Sequence, residues 1–206
     1  MTPVPNVNAP FGFRQYSGLG SAPTYEQATV IVDYNAGAIF YGDPVTALAD
    51  GSVAQSVSTG ATPGPLGIAG IFVGCKYPSV AMKRTVWSNY WPGSDVAATN
   101  TVEAYIINDL GARFIAQSDA TGLALANVNS TIGFVIGTGN TASGISGAYL
   151  DTTTLNVATY NLNAPFKVVG ILQQPPTSPG TLGNGQPYDW AIVGFNDVFT
   201  RNFLGV

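Results

Sequence analysis

Turn residues cut this chain into short pieces about every 10–15 positions, and β-formers fill the pieces between them. The chain spends 25 glycines and 14 prolines on this punctuation. The candidate strands are TVIVDY (29–34), AIFYGDPV (38–45), SVAQSV (52–57), IAGIFVGCKY (68–77) and RTVWSNYWPG (84–93). They continue with TVEAYIIND (101–109), ARFIAQSD (112–119), STIGFVIGTG (130–139), GAYLDT (147–152), FKVVGILQQ (166–174) and DWAIVGFND (189–197). Many short strands with regular turns predict an all-β fold, an antiparallel sandwich or barrel. The runs 101–109 and 112–119 flank Leu110-Gly111 and read as a hairpin. The Ala/Leu-rich stretch 120–128 is the best helix candidate, but it is too short and Gly-broken for more than a turn or two. A loop is expected at 175–187.

Two segments divide the 206 residues. Residues 1–24 hold Pro3, Pro5, Pro10 and Pro23 with Gly12, Gly18 and Gly20, and show neither a helical nor a strand period. They read as an extended N-terminal arm. Residues 25–206 read as a single antiparallel β domain, within the size that all-β domains reach undivided.

Composition narrows the function. Hydrophobic residues make up 46% and charged residues only 9%, against roughly 25% charged in ordinary soluble domains. A core is therefore expected beneath a surface of Asn, Ser, Thr and Gln, a composition that suits a protein living in an assembly and is shared by secreted β proteins. Net charge is −4, and the cations Arg14, Lys76, Lys83, Arg84, Arg113, Lys167 and Arg201 are scattered apart from the pair 83–84. Nothing is placed to neutralise a run of phosphates, so no nucleic-acid partner is expected. The longest apolar run, LGIAGIFVG (66–74), is about half of a membrane span, so no membrane partner is expected either. The first residues lack the basic and apolar regions of a secretory signal, which predicts a chain made in a cytoplasm.

Histidine is absent and Cys75 is the single cysteine. That removes the Ser-His-Asp triad, the Cys-His dyad, and histidine- or thiolate-held zinc. Cys75 lies in an apolar run and reads as a small buried hydrophobe. GTGNTA (137–142) fits a degraded dinucleotide loop, but β-formers and glycines follow it where a helix is required, so it reads as a hairpin turn. Asn129-Ser130-Thr131 reads as turn-to-strand chemistry. The carboxylates fall mostly at strand ends and turns, and nothing selects two of them as a glycosidase pair. No catalysis, cofactor or metal site is expected.

Two aromatic stretches remain. In NAPFGFRQY (8–16), Phe11 and Phe13 with Arg14 either anchor the arm to a neighbouring protein or fold back and plug their own domain. In VWSNYWPG (86–93), Trp87, Tyr90 and Trp91 have three open roles: core filling, a subunit interface, or a platform on which sugars stack.

NAPFGFR, IFYGDPV, GIFVGCKY, SNYWP, AYIIND with ARFIAQSD, and FKVVGIL occur in this order from residue 8 to about 172. Together they resemble a family of tailed-bacteriophage head proteins of the decoration or cement type. The last segment, from the proline-rich loop to DWAIVGFNDVFTRNFLGV, departs from that pattern. The resemblance implies a jelly-roll-like sandwich or barrel on the outside of an icosahedral head, where it locks adjacent major capsid protein subunits. It implies self-association, as a homotrimer more than a homodimer, and a place on the virion exterior after assembly in the host cytoplasm. Phe11, Phe13, Arg14, Trp87, Tyr90 and Trp91 are then the expected capsid or subunit contacts. A virion receptor- or carbohydrate-binding sandwich is the alternative, with Trp87, Tyr90 and Trp91 stacking sugars.

Overall fold

Runs rich in Val, Ile and aromatics form strands here because branched side chains pack well on a pleated surface. The computed structural model describes residues 6–17, 27–57, 68–99, 101–155, 164–172 and 185–196. Among these the strands are β1 (Arg14–Ser17), β2 (Gln27–Ile31), β3 (Pro44–Ala47), β4 (Val53–Gln55), β5 (Ile68–Ser79) and β6 (Arg84–Ser88). They are followed by β7 (Glu103–Ile107), β8 (Arg113–Gln117), β9 (Thr131–Val135), β10 (Tyr149–Asp151), β11 (Phe166–Ile171) and β12 (Trp190–Phe195). The only helical segments among the described residues are two short 3-10 turns, Leu125–Asn127 and Thr152–Thr154. The first lies in the stretch that carried the helix expectation. The loop expected at 175–187 lies outside the described residues except for 185–187.

The strands form two antiparallel sheets packed as a sandwich. The first runs β1-β8-β12-β11-β9-β10, and the second runs β2-β7-β5-β3-β4 with β6 beside the far half of β5. The second sheet curls until its edges meet: Val32, just after β2, bridges Val53 of β4, and the Asp33 N–H donates to the Val53 carbonyl at 2.9 Å. Its concave side encloses a core of its own, with Val45, Val53, Phe72, Cys75, Tyr77, Trp91, Ala104 and Ile106. Alternate residues of the same strands, Ile71 and Ile107, point the other way. They join Phe114, Phe134, Phe166, Val168 and Val193 of the first sheet in the layer between the sheets. The period-two alternation of strands thus lets β5 and β7 serve two cores at once.

Two expectations are corrected. Residues 101–119 are not a hairpin: β7 pairs with β2 and β5, and β8 pairs with β1 and β12, so both edges of each strand are already taken. The Leu110-Gly111 turn, held by Gly111 N–H donating to Asp109 Oδ1 at 2.8 Å, carries the chain from one sheet to the other. Ile107 and Phe114 then meet face to face across the shared core instead of side by side. The arm is also not free of strand structure. Within 6–17, Arg14–Ser17 forms β1 against β8, and the residues before it are tied to the sandwich. Gln117 donates to the Val7 carbonyl and accepts from the Ala9 N–H, each at 3.0 Å. Gly12 N–H donates to Ala148 O, and Phe13 N–H to Gly42 O. At Gly12 φ is +73°, and a Cβ would stand 2.6 Å from Ser146 Cβ and 2.8 Å from the Gly42 carbonyl. Only glycine fits that crossing.

Candidate docking face

On the outer face of β8, Arg113 and Ile115 alternate with the core residues Phe114 and Ala116. On β12, Trp190 and Ile192 alternate with Ala191 and Val193. On β11, Lys167 lies between Phe166 and Val168, with the exposed Val169 beyond. On β1, Arg14 and Tyr16 point outward. The register puts Arg14, Ile115 and Ile192 in one row, and Arg113, Gly194 and Lys167 in the next. Phe11 leans on this face: its ring meets Trp190 edge-on at 5.1 Å between centroids and 72° between planes. The Arg14 guanidinium sits 5.4 Å from the Phe11 ring centre, within cation–π range. Phe11, Arg14, Ile115 and Trp190 line a groove of about 280 Å³.

The outward positions of these four strands therefore carry three cations, a row of apolar and aromatic side chains, and no carboxylate among the described residues. The chain as a whole is net −4, so the local sign is the reverse of the global one.

The six contact residues read from the sequence separate into two kinds. Phe11, Arg14 and Trp87 reach the surface. Phe13 is 1% exposed, stacked on Phe166 at 4.4 Å and edge-on to Phe134. Trp91 is fully buried inside the second sheet, edge-on to Tyr77 at 5.1 Å, and its backbone bridges Ile39. Both are therefore corrected from contact residues to core residues, because each side chain is used up inside the fold. Tyr90 is half-buried and stacked on Phe40 at 5.5 Å.

Trp87 is 67% exposed and stacks in parallel with Tyr105 at 5.9 Å. The Lys76 ammonium lies 5.3 Å from its ring and 3.2 Å from Glu103 Oε2. Trp190, Ile115 and Arg113 were not singled out from the sequence. The available signal was that both registers of WAIVGF are apolar, where a strand with one wet face alternates.

The carboxylate of a second, more polar recess is committed to the fold. This recess of about 240 Å³ is lined by Asn8, Ser118, Asp119, Tyr149 and Tyr188, and both Asp119 oxygens already accept from Thr152 and one also from Thr121. Among the described residues no group of three or more His, Cys, Asp or Glu is placed to hold a metal ion, and no helix is long and apolar enough to cross a membrane. Burial pushes the Cys75 thiol up to about 12, and thiolate is the reactive form. The native protein is expected to resist iodoacetamide at pH 8 and to take up one equivalent in urea. Rapid labelling without denaturant would contradict the buried position.

Comparison with known protein families, with curated proteins and with solved structures finds no match.

Proposed function

We propose that this chain is a bacteriophage head decoration protein, which binds the outer surface of the capsid through the β1-β8-β12-β11 face and locks adjacent major capsid protein subunits. Two things support the reading: the ordered motifs that resemble the family, and the cationic, aromatic outer face on an otherwise acidic chain. The face is the observation that carries it. Apolar side chains flanked by Arg and Lys suit a protein surface of apolar residues edged with carboxylates. Trp and Arg are the residue types that dominate interface energetics. Many copies on one shell, each a member of a closed trimer, let modest single contacts hold firmly. The sugar-stacking alternative has a narrower base, since of Trp87, Tyr90 and Trp91 only Trp87 presents an open ring.

The test is rebinding to heads from phage that lack this gene. Wild-type protein is expected to bind at a fixed ratio to the shell protein and to raise the temperature at which heads rupture. Trp190→Ala is expected to weaken binding by at least about 30-fold, the usual effect of losing a central aromatic worth some 2 kcal/mol. Absence of wild-type binding, or heads equally tough with and without it, would sink the proposal.

A further inference from the structure

Three of the ten large apolar side chains exposed among the described residues fall within eight consecutive positions: Val80, Met82 and Trp87, at 53%, 59% and 67%. They belong to the β5–β6 hairpin of the second sheet, away from the four strands that make the docking face. Lys83 and Arg84 lie between them, both exposed, and neither makes an ion pair among the described residues. The tip is also tied by hydrogen bonds to Asp95, outside the hairpin. Asp95 accepts from Ser79 Oγ at 2.5 Å and from the Ala81 N–H at 2.8 Å, while its carbonyl accepts from the Val80 N–H at 3.0 Å. Ser79 Oγ in turn accepts from the Met82 N–H at 2.9 Å. Asp95 makes these bonds from a backbone φ of +87°, and Lys83 sits at +53°. A non-glycine residue held at the angle of Asp95 is costly and persists only where its surroundings compensate.

A loop residue at positive φ such as Lys83 is ordinary in a hairpin, but bonds from a residue outside the hairpin, such as Asp95, are not needed to close one. Here three backbone N–H groups of the tip are satisfied by a clamp, so that two apolar side chains project into solvent in one fixed arrangement next to two cations. A shape fixed before binding loses less freedom on binding. A tied tip suits a shaped pocket, whereas a fluid lipid surface accepts a mobile loop equally well.

We infer that the 80–84 tip is a second docking element, which inserts Val80 and Met82 into an apolar pocket edged with carboxylates on a neighbouring capsid subunit. It rests on the decoration reading and gives it a mechanism. One copy holds one subunit with the first sheet and reaches another with the hairpin of the second, which is what locking neighbours requires. Both elements pair apolar side chains with cations, so both seek the same kind of acidic surface.

The experiment measures binding of the full chain to heads that lack it. Val80→Asp/Met82→Asp is expected to lose tenfold or more in affinity with an unchanged melting temperature, since both side chains are exposed and the clamp uses only backbone groups of the tip. Lys83→Gln/Arg84→Gln is expected to weaken binding at low salt, with a difference that shrinks as salt rises. Asp95→Gly keeps every tip side chain and permits the positive φ while removing the carboxylate clamp; a loss of about three- to tenfold is expected from lost pre-organisation. If wild-type protein binds heads, Trp190→Ala binds poorly and the double Asp variant binds like wild type, the tip inference falls and the decoration reading stands. If wild-type protein does not bind heads, both fall. Tight binding of the wild type to vesicles containing phosphatidylserine, lost in the double Asp variant while head binding is kept, would assign the tip to a membrane and overturn the inference.

Discussion

Phe13→Ala is expected to cost the fold about 3–5 kcal/mol, the range for truncating a buried aromatic. For a domain of this size that corresponds to a fall in Tm of roughly 6–20 °C. Phe13 is stacked on Phe166 and edge-on to Phe134, in the layer that holds the two sheets together. Removing the ring opens a cavity among residues from β9 and β11, which are fixed by their own ladders and cannot close in. Phe11→Ala, two residues away, is expected to cost only about 1 kcal/mol, since that ring is half-buried and loses an edge contact with Trp190 and the exposed Arg14 guanidinium near its face. Urea unfolding of the two variants side by side measures the contrast. Small and equal losses would show that the start of the chain is not part of the core. The pair also separates the two roles that the sequence left open for the arm. Phe13 belongs to the fold, and Phe11, with Arg14, is left at the surface where a partner can reach it.

Strand-forming stretches were legible because burial leaves its period in the residues. IAGIFVGCKY is apolar at almost every position, and β5 is the strand that serves two cores. Pairing was not legible, because it is decided by residues far apart in the chain. The turn chemistry around Leu110-Gly111 is the same whether the next strand lies beside β7 or across the core from it. What decides is that β2 and β5 already occupy both edges of β7. Likewise β1 is four residues among prolines and glycines, and it becomes a strand only because β8 offers it an edge. The curl of the second sheet rests on one bridge between Val32 and Val53, which no local pattern announces.

The candidate docking face was half legible for a related reason. Phe11 and Arg14 stood out because they are aromatic and cationic in a segment with no period. Trp87 and Trp91 could not be told apart, since period-two alternation ends with β6 at Ser88. Beyond it the chain turns, and Trp91 enters the core through its bridge to Ile39. Trp190 hid in a run that reads as buried strand. Only its register, opposite Gln117 and one residue from the buried Ala191, places it outside.

Asp43→Ala is expected to be about as damaging as loss of Phe13, for a different reason. In the sequence Asp43 is merely the acid of a Gly-Asp-Pro turn. In the fold it is buried between the sheets' loops, where its carboxylate accepts from Ser146 Oγ at 2.5 Å, the Phe40 N–H at 2.8 Å and Gln55 Nε2 at 2.7 Å. Its carbonyl accepts from Phe72 N–H, and the adjacent Gly42 carbonyl receives Phe13 N–H, so the arm's crossing is built on this turn. Burial raises the Asp43 pKa above its ordinary 3.8, with the bonds from Ser146, Phe40 and Gln55 pulling the other way. The ionised network is therefore no net gain over a carboxylate in water, yet deleting it is costly, because each stranded buried donor loses about 1–3 kcal/mol. Asp43→Ala is expected to lose about 3–5 kcal/mol at pH 7, and Asp43→Asn about 1–3, since the amide keeps one acceptor but turns an NH₂ toward a donor. The folded carboxyl holds its proton to a higher pH than the unfolded one. Its contribution to stability therefore falls as pH rises from 3.8 through the elevated folded value, and is flat above that. The stability gap between wild type and Asp43→Asn should accordingly narrow with rising pH across that window. Denaturation curves between pH 3.5 and 8 measure it. A gap that widens with pH, or Asp43→Ala within 1 kcal/mol of wild type, would show that this turn does not hold the arm and the two sheets together.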